Sequence, residues 1–267
     1  MLPHFYGILH THPEIQITLI LESTGTLFAG DYIGGFKPGD LFVIGSDCPH
    51  VFKNDEAYYE STDSGINAHA ISVFLGTKFI DNQIFEIPET EGFSDFMNKA
   101  QSGLLAHADN LHGIKDKMLE IRDENGFSKL ILLFQIIETL ALYKHFETLL
   151  DKPIAGIVNE SDGKRLKDIF AYTFENFTKP ISIEEIADLA TLTPQSFCRF
   201  FKKSTRKTYV GFLNELRINK ASQLLKNKGL SISEISYQSG FNNLSHFNRQ
   251  FLMIKKVTPT EYRNSLQ

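Results

Sequence analysis

Residues 183–201 read IEEIADLATLTPQSFCRFF, and residues 232–251 read ISEISYQSGFNNLSHFNRQF. Each stretch opens on an apolar Ile-x-x-Ile pair, Ile183/Ile186 and Ile232/Ile235, and closes on Phe-x-Arg-x-Phe, at Phe197–Phe201 and Phe247–Phe251. The offset between the copies is 49 at the isoleucines and 50 at the phenylalanines, so the second copy carries one extra residue in its turn. Helix, tight turn and second helix, written twice in one chain, is a form that presents two helices to two stretches of DNA.

Helical periodicity sorts the residues of each second helix. Thr193 is placed to cap the first, with Pro194 at the opening helical position, where its missing N–H costs nothing. Phe197, Phe200 and Phe201 then share the buried face, which turns Gln195, Ser196, Arg199 and Lys202 outward. In the second copy Leu244, Phe247 and Phe251 fall on one side, while Asn242, Asn243, Ser245, His246 and Arg249 project. Arginine pairs bidentately with guanine and asparagine with adenine, so the outward side chains suit base reading, although Arg199 and Arg249 could equally take phosphates. Between the copies, Tyr209, Phe212, Leu213, Leu216, Ala221, Leu224 and Leu225 mark one long helix. A rigid connector of this kind would set the two reading helices about one DNA turn apart, roughly 34 Å.

Charge is partitioned in the same way. Residues 164–267 hold 17 Lys and Arg against 8 Asp and Glu, a net of +9; the remainder holds 10 against 24, a net of −14, and the two sum to the −5 of the whole chain. A basic end confined to the duplicated motif is the footprint of a phosphate-binding surface.

These residues resemble the AraC/XylS family of bacterial transcription regulators over about Leu166 to Arg263. The matching signatures are Phe201-Lys202-Lys203, Phe212-Leu213-Asn214-x-x-Arg217, Ala221-x-x-Leu224-Leu225, Ile232-x-x-Ile235, Gly240-Phe241-x-x-x-Ser245-x-Phe247-x-Arg249-x-Phe251 and Thr258-Pro259-x-x-Tyr262-Arg263. The resemblance implies groove contacts from Gln195, Arg199, Asn243, Leu244, Ser245, His246 and Arg249, with Leu244 also able to pack inside. Arg206 and Lys256 stand where the family usually has glycine after each reading helix. In a left-handed cap each would cost about 1 kcal/mol.

Upstream, Ile15 to about Phe79 carries strand signals: the β-branched Ile15–Leu21, then Gly25, Gly30, Gly34-Gly35 and Pro38-Gly39 as turns. Short strands with Gly-rich turns suggest a small barrel or sandwich. His10 and His12 alternate on one extended face, and Gly39-Asp40 through Pro49-His50-x-x-x-Asn54 resembles the two cupin motifs, with Gly45 for the usual proline and Asp47 for the second glycine. In metal-binding cupins the ligands are His, His, Glu and His, which would fall on His10, His12, Gln16 and His50, with Glu14 as a substitute for Gln16. The rival is that His10, His12, Gln16 and His50 line a pocket for an organic effector; Tyr32, Phe36, Phe42 and Phe52 are either pocket walls or core. Leu130 to Tyr143 has helical spacing and reads as a buried or dimer-forming helix.

The expected architecture is therefore α+β and multidomain: a cupin-like barrel over 1–90, short of the strands that family members usually carry before His10; a helical dimerisation segment over 91–155; a linker over 156–165; and an all-α double helix-turn-helix over 166–267. Hydrophobic content of 42% fits a soluble protein. There is neither an apolar run long enough to span a membrane nor a leader pattern, and Cys48 and Cys198 suggest no disulfide framework, which fits the cytoplasm. The expected partners are double-stranded DNA, a small-molecule effector, a second copy of the chain and RNA polymerase. No cofactor or catalysis is expected. The alternatives are a metal-dependent cupin enzyme with a DNA-binding tail, and a constitutive regulator whose barrel serves only assembly.

Overall fold

Ile15-Gln-Ile-Thr-Leu-Ile alternates two side-chain sets, and both are buried, so the strand it forms lies between two layers. The computed structural model describes residues 4–59, 67–80, 87–153 and 160–266. The chain divides into two compact units, Met1–Val158 and Asn159–Gln267.

The first unit runs β1 (Ile15–Glu22), β2 (Gly25–Ala29), β3 (Tyr32–Phe36), β4 (Asp40–Ile44), β5 (His50–Asn54), β6 (His69–Leu75), α1 (Thr77–Ile80), α2 (Glu91–Ala100), β7 (Leu104–His107), α3 (Ile114–Asp123), α4 (Gly126–Leu142) and β8 (Glu147–Thr148). Two antiparallel sheets result, one ordered β6-β1-β4-β7-β8 and the other β3-β2-β5. Ile15, Ile17 and Leu19 of β1, with Leu41 and Val43 of β4, face helices α2, α3 and α4 in one core; Ile20, Phe42 and Ile44 face Leu27, Ala29, Phe36 and Phe52 of the smaller sheet in another. Each fully buried aliphatic or aromatic side chain contributes about 1.5–3 kcal/mol. β1 and β4 bury both faces and are the keystones of the unit.

The expected barrel is not closed among the described residues. β1 pairs with β4 and β6, β2 with β3 and β5, and no ladder joins the sheets. The lead-in to β1 adds only an isolated bridge between His10 and His50. Nor do residues 91–153, the described part of the helical segment expected over 91–155, form a separate helical unit. β7 and β8 extend the large sheet, and α4 puts Leu132, Ile136, Ile137 and Leu140 into the core beneath it. Tyr32 is half-buried, and Phe36, Phe42 and Phe52 pack ring to ring at 5.6–5.7 Å; these aromatics belong to the inter-sheet core.

The second unit is all helix: α5 (Glu160–Asn176), α6 (Ile183–Leu189), α7 (Pro194–Thr205), α8 (Tyr209–Leu224), α9 (Ile232–Gln238), α10 (Leu244–Lys255) and α11 (Pro259–Ser265). Of the linker expected over 156–165, residues 160–165 are helical and begin α5, while 156–159 lie outside the described residues. Phe170, Phe197, Phe201, Tyr209 and Phe212 pack ring against ring around the first helix-turn-helix; Ile218, Ala221, Leu225, Ile235, Phe241, Phe247 and Phe251 form the core of the second. Among the described residues, no helix is long and apolar enough to cross a membrane.

Candidate nucleic-acid interface and ligand site

The two copies superpose in their hydrogen bonds as well as their sequence. α6 and α9 each span seven residues and start from a capping box, Ser182 with Glu185 and Ser231 with Glu234. In the turns, Leu192 N–H donates to Ala187 O and Phe241 N–H to Ser236 O, still at the 49-residue offset. The next residues in register are the caps Thr193 and Asn243, offset by 50, so the extra residue is Asn242. Thr191 takes the left-handed conformation in the first turn (φ 54°) where Gly240 takes it in the second (φ 90°). A Cβ on Gly240 would stand 2.7 Å from Phe177 O and 2.9 Å from Arg217 Nε, so glycine is required there twice over.

Arg217, on the connecting helix α8, ties the copies together. Its Nε donates to Phe177 O (2.7 Å) and an Nη to Lys179 O (2.8 Å) in the lead-in to α6, while its guanidinium lies over the Phe241 ring in the second turn. Lys255 Nζ adds a 2.8 Å bond to Asn219 Oδ1, holding α10 on α8.

α7 and α10 bury Phe197/Phe201 and Phe247/Phe251 and expose equivalent stripes: Gln195, Cys198, Arg199 and Lys202 on one, Ser245, Asn248, Arg249 and Leu252 on the other. Expected contacts Gln195, Arg199, Lys202, Ser245 and Arg249 are all exposed there. Leu244 is exposed as well, 38%, rather than packed inside. Ser196 and His246 are half-buried, and the His246 ring packs edge-on against Phe241. Thr193 and Asn243 spend their oxygens on capping Ser196 N–H and His246 N–H, which leaves the Asn243 amide NH2 for a partner. Exposed Asn242 sits in the turn beside it. Cys198 and Asn248 were missed by motif reading, though the i, i+3, i+4, i+7 spacing from Gln195 and Ser245 places them on the same stripes. Arg206 and Lys256 adopt left-handed caps, φ 59° and 62°, so the non-glycine residues keep the turn that glycine would make.

In the first unit three histidines converge. His10 and His50 exchange backbone bonds, and Asp47 N–H donates to His12 O, which brings the lead-in alongside β5. Ring centroids are 4.5 Å apart for His10 and His50, 5.0 Å for His12 and His50, and 5.8 Å for His10 and His12. One ring nitrogen of each lies within 4.8 Å of one from both others. Each Nδ1 faces a main-chain carbonyl: Ile8 O for His10 (2.9 Å), Glu14 O for His12 (3.1 Å) and Cys48 O for His50 (2.9 Å). That contact places the proton on Nδ1 and leaves Nε2 as the lone-pair nitrogen. Burial pushes His50 down to about 3, the Cys48 carbonyl opposing and His10 and His12 adding to the shift, so it is neutral at ordinary pH. Gln16, buried on β1, places Oε1 3.0 Å from Nε2 of both His12 and His50. Glu14 does not join the cluster: its carboxylate lies 3.5 Å from His12 Nδ1, on the opposite side of the ring from Gln16. The rim is aromatic, with Phe74 53% exposed beside His12 and exposed Tyr6 beside His10.

The model of a helix-turn-helix domain matches residues 186–265, both copies of the motif. An uncharacterised HTH-type transcriptional regulator of Bacillus subtilis is 24% identical over 97% of this chain and 86% of its own length. Residues 186–265 thus carry a helix-turn-helix domain like those of AraC-type regulators, and the chain as a whole is similar to transcriptional regulators. The transcriptional activator RhaS of Salmonella schwarzengrund is also 24% identical to this chain, over 95% of it and 86% of the activator. Among solved structures, a transcriptional regulator from Chromobacterium violaceum with an AraC-type DNA-binding domain is 27% identical, over 40% of this chain and 95% of its own, at a TM-score of 0.36.

Proposed function

We propose that the regulator reads two adjacent DNA segments with α7 and α10, and that a ligand held near His10, His12, Gln16 and His50 controls it. The observation that carries the DNA reading is the pair of exposed stripes on helices braced by α8 and Arg217, each with an arginine at the same place. Arg199 and Arg249 address bases or phosphates; Gln195, Cys198, Ser245 and Asn248 flank them; Lys202 and the basic caps Arg206 and Lys256 supply phosphate contacts. The regulator acts in the cytoplasm as a homodimer on double-stranded DNA near RNA polymerase, and no reaction is assigned to it. Exposed Phe127, Ile131 and Leu142 on α4 support a second copy docking there. Ligand control is linkage: a ligand that prefers one arrangement of the first unit shifts the population able to engage both sites.

The test is selection of genomic fragments by the full-length chain, repeated with Arg199→Ala and Arg249→Ala. A motif of two elements about one helical turn apart, relaxed at a different element by each variant, is the expected result. Binding that follows only salt, with no motif, would refute the double reader.

A second reading of the ligand is favoured by the histidine geometry. Three imidazoles whose Nδ1 atoms are each fixed on a carbonyl are oriented to give Nε2 lone pairs to a borderline divalent cation such as zinc, nickel or cobalt. The donor set fits such an ion, with His10, His12 and His50 holding it and Gln16 beside them. The ion would supply a fixed positive charge at the mouth between the sheets.

A further inference from the structure

Gln16 stands where a carboxylate would neutralise a cation, and its hydrogen bonds raise a problem that the ligand-control reading above, on which this inference rests, resolves. Its Oε1 faces Nε2 of His12 and of His50 at 3.0 Å, and its Nε2 donates to Thr18 Oγ1 at 2.7 Å. Both rings already give their Nδ1 hydrogen to carbonyls. A neutral imidazole has one N–H, so a neutral ring whose Nδ1 carries it has no hydrogen left for Oε1.

Two arrangements satisfy the network. In an empty cluster the amide turns over: its NH2 gives one hydrogen to each Nε2, and its oxygen accepts from the Thr18 hydroxyl. In a cluster holding a cation the Nε2 lone pairs are taken, and Oε1 turns toward the charge while NH2 turns to Thr18. Thr18 Oγ1 lies 2.8 Å from Ser72 Oγ on the edge strand β6. A hydroxyl has one hydrogen, so when Thr18 gives it to Gln16 the Thr18–Ser72 bond must be donated by Ser72, and when Gln16 donates the Thr18 hydrogen is released for Ser72. In the empty cluster Thr18 gives its hydrogen to Gln16 and accepts from Ser72; in the filled one it accepts from Gln16 and gives to Ser72.

We infer that Gln16 is the residue that distinguishes a filled histidine cluster from an empty one, by reversing its amide and, through Thr18, the hydroxyl of exposed Ser72. The ligand class it admits is a divalent transition ion held by neutral donors. The Glu14 carboxylate, 3.5 Å from His12 Nδ1, acts on it through the His12 ring. Because the ion's charge is not cancelled by its own ligands, its arrival alters the field at the open end of the two sheets, and Ser72 on β6 carries the change to the surface.

The experiment uses the full-length chain with zinc and cobalt as probes. Visible absorption of the cobalt form counts the ions bound. The side-chain amide protons of Gln16, assigned by their disappearance in Gln16→Glu, are followed by nuclear Overhauser contacts with and without zinc. The expected result is one ion per chain, with these contacts moving from the His12 and His50 rings to the Thr18 methyl as zinc binds. Gln16→Glu binds cobalt about tenfold or more tightly, because a carboxylate adds the missing charge. Thr18→Val binds cobalt within about threefold of the parent but no longer shifts the Ser72 resonances, since Thr18 bonds to Gln16 and Ser72 and not to the histidines. Absence of bound ion, or bound ion with the amide contacts unmoved, overturns the inference. Either result leaves the DNA-fragment selection unaffected, and failure of that selection alone would count against the double reader instead.

Discussion

Thr191 and Gly240 hold the same left-handed place in the two turns, and only one of them is suited to it. A β-branched residue at positive φ is strained, so Thr191→Gly is expected to raise stability by about 1 kcal/mol, offset in part by the freer unfolded chain. Gly240→Ala is expected to cost about 2 kcal/mol or more, from the backbone conformation and from the approach of Phe177 O and Arg217. Chemical denaturation of the two variants checks both signs. At Arg199 and Arg249, replacement by alanine should weaken binding by about 1–3 kcal/mol at sites carrying the base each reads, and by an even amount across all sequences if it touches phosphate. Binding titrations on the selected fragment and on single-base variants separate these outcomes.

Among the elements, the short helices depend on their ends. Ser182, Ser231 and Thr258 each cap a seven-residue helix through a capping box, and Ser231→Ala is expected to cost about 1 kcal/mol. Hydrogen bonds from Ser231 hold the Glu234 carboxyl below its ordinary value, and main-chain and hydroxyl donation from Thr258 does the same for Glu261. A carboxyl whose native value is lowered contributes stability that is full above the unfolded value and is lost as pH falls through the native one. The destabilisation in Glu234→Gln and Glu261→Gln should therefore shrink on going from neutral pH to below the ordinary glutamate range, as thermal melts across pH would record. These elements were legible because caps, prolines and 3.6-residue periodicity are local. The same is true of β1, read from Ile15–Leu21. Sheet closure was not legible: whether β1 and β2 join one ladder depends on partners distant in sequence, and the motif resemblance suggested a barrel where, among the described residues, two sheets pack together without a ladder between them. Helices α2, α3 and α4 read as helical, but their role as cover for the large sheet lies in contacts with Ile17, Leu41 and Val43 that no local pattern announces. Glu14 was placed with the histidines by alternation along a strand; the lead-in to β1 is not a regular strand, so the alternation does not hold.

For the molecule as a whole, a basic reader and an acidic partner unit share one chain. Removing residues 1–158, net negative, should strengthen binding to arbitrary DNA while leaving the slope of log affinity against log salt set by the phosphate contacts of the reader. Titration of the full chain and of 159–267 on unrelated duplexes over a range of salt tests this. Equal affinities throughout would show that the acidic unit does not oppose DNA.

Because the two readers carry different side chains on their exposed stripes, Gln195, Cys198 and Lys202 on one and Ser245, Asn248 and Leu252 on the other, they are not interchangeable. A DNA site matched to them has a left and a right, and turning it around presents the wrong element to each helix. If both helices read DNA as proposed, a single chain would distinguish the two directions along the duplex, and a pair of chains on tandem sites would face the same way.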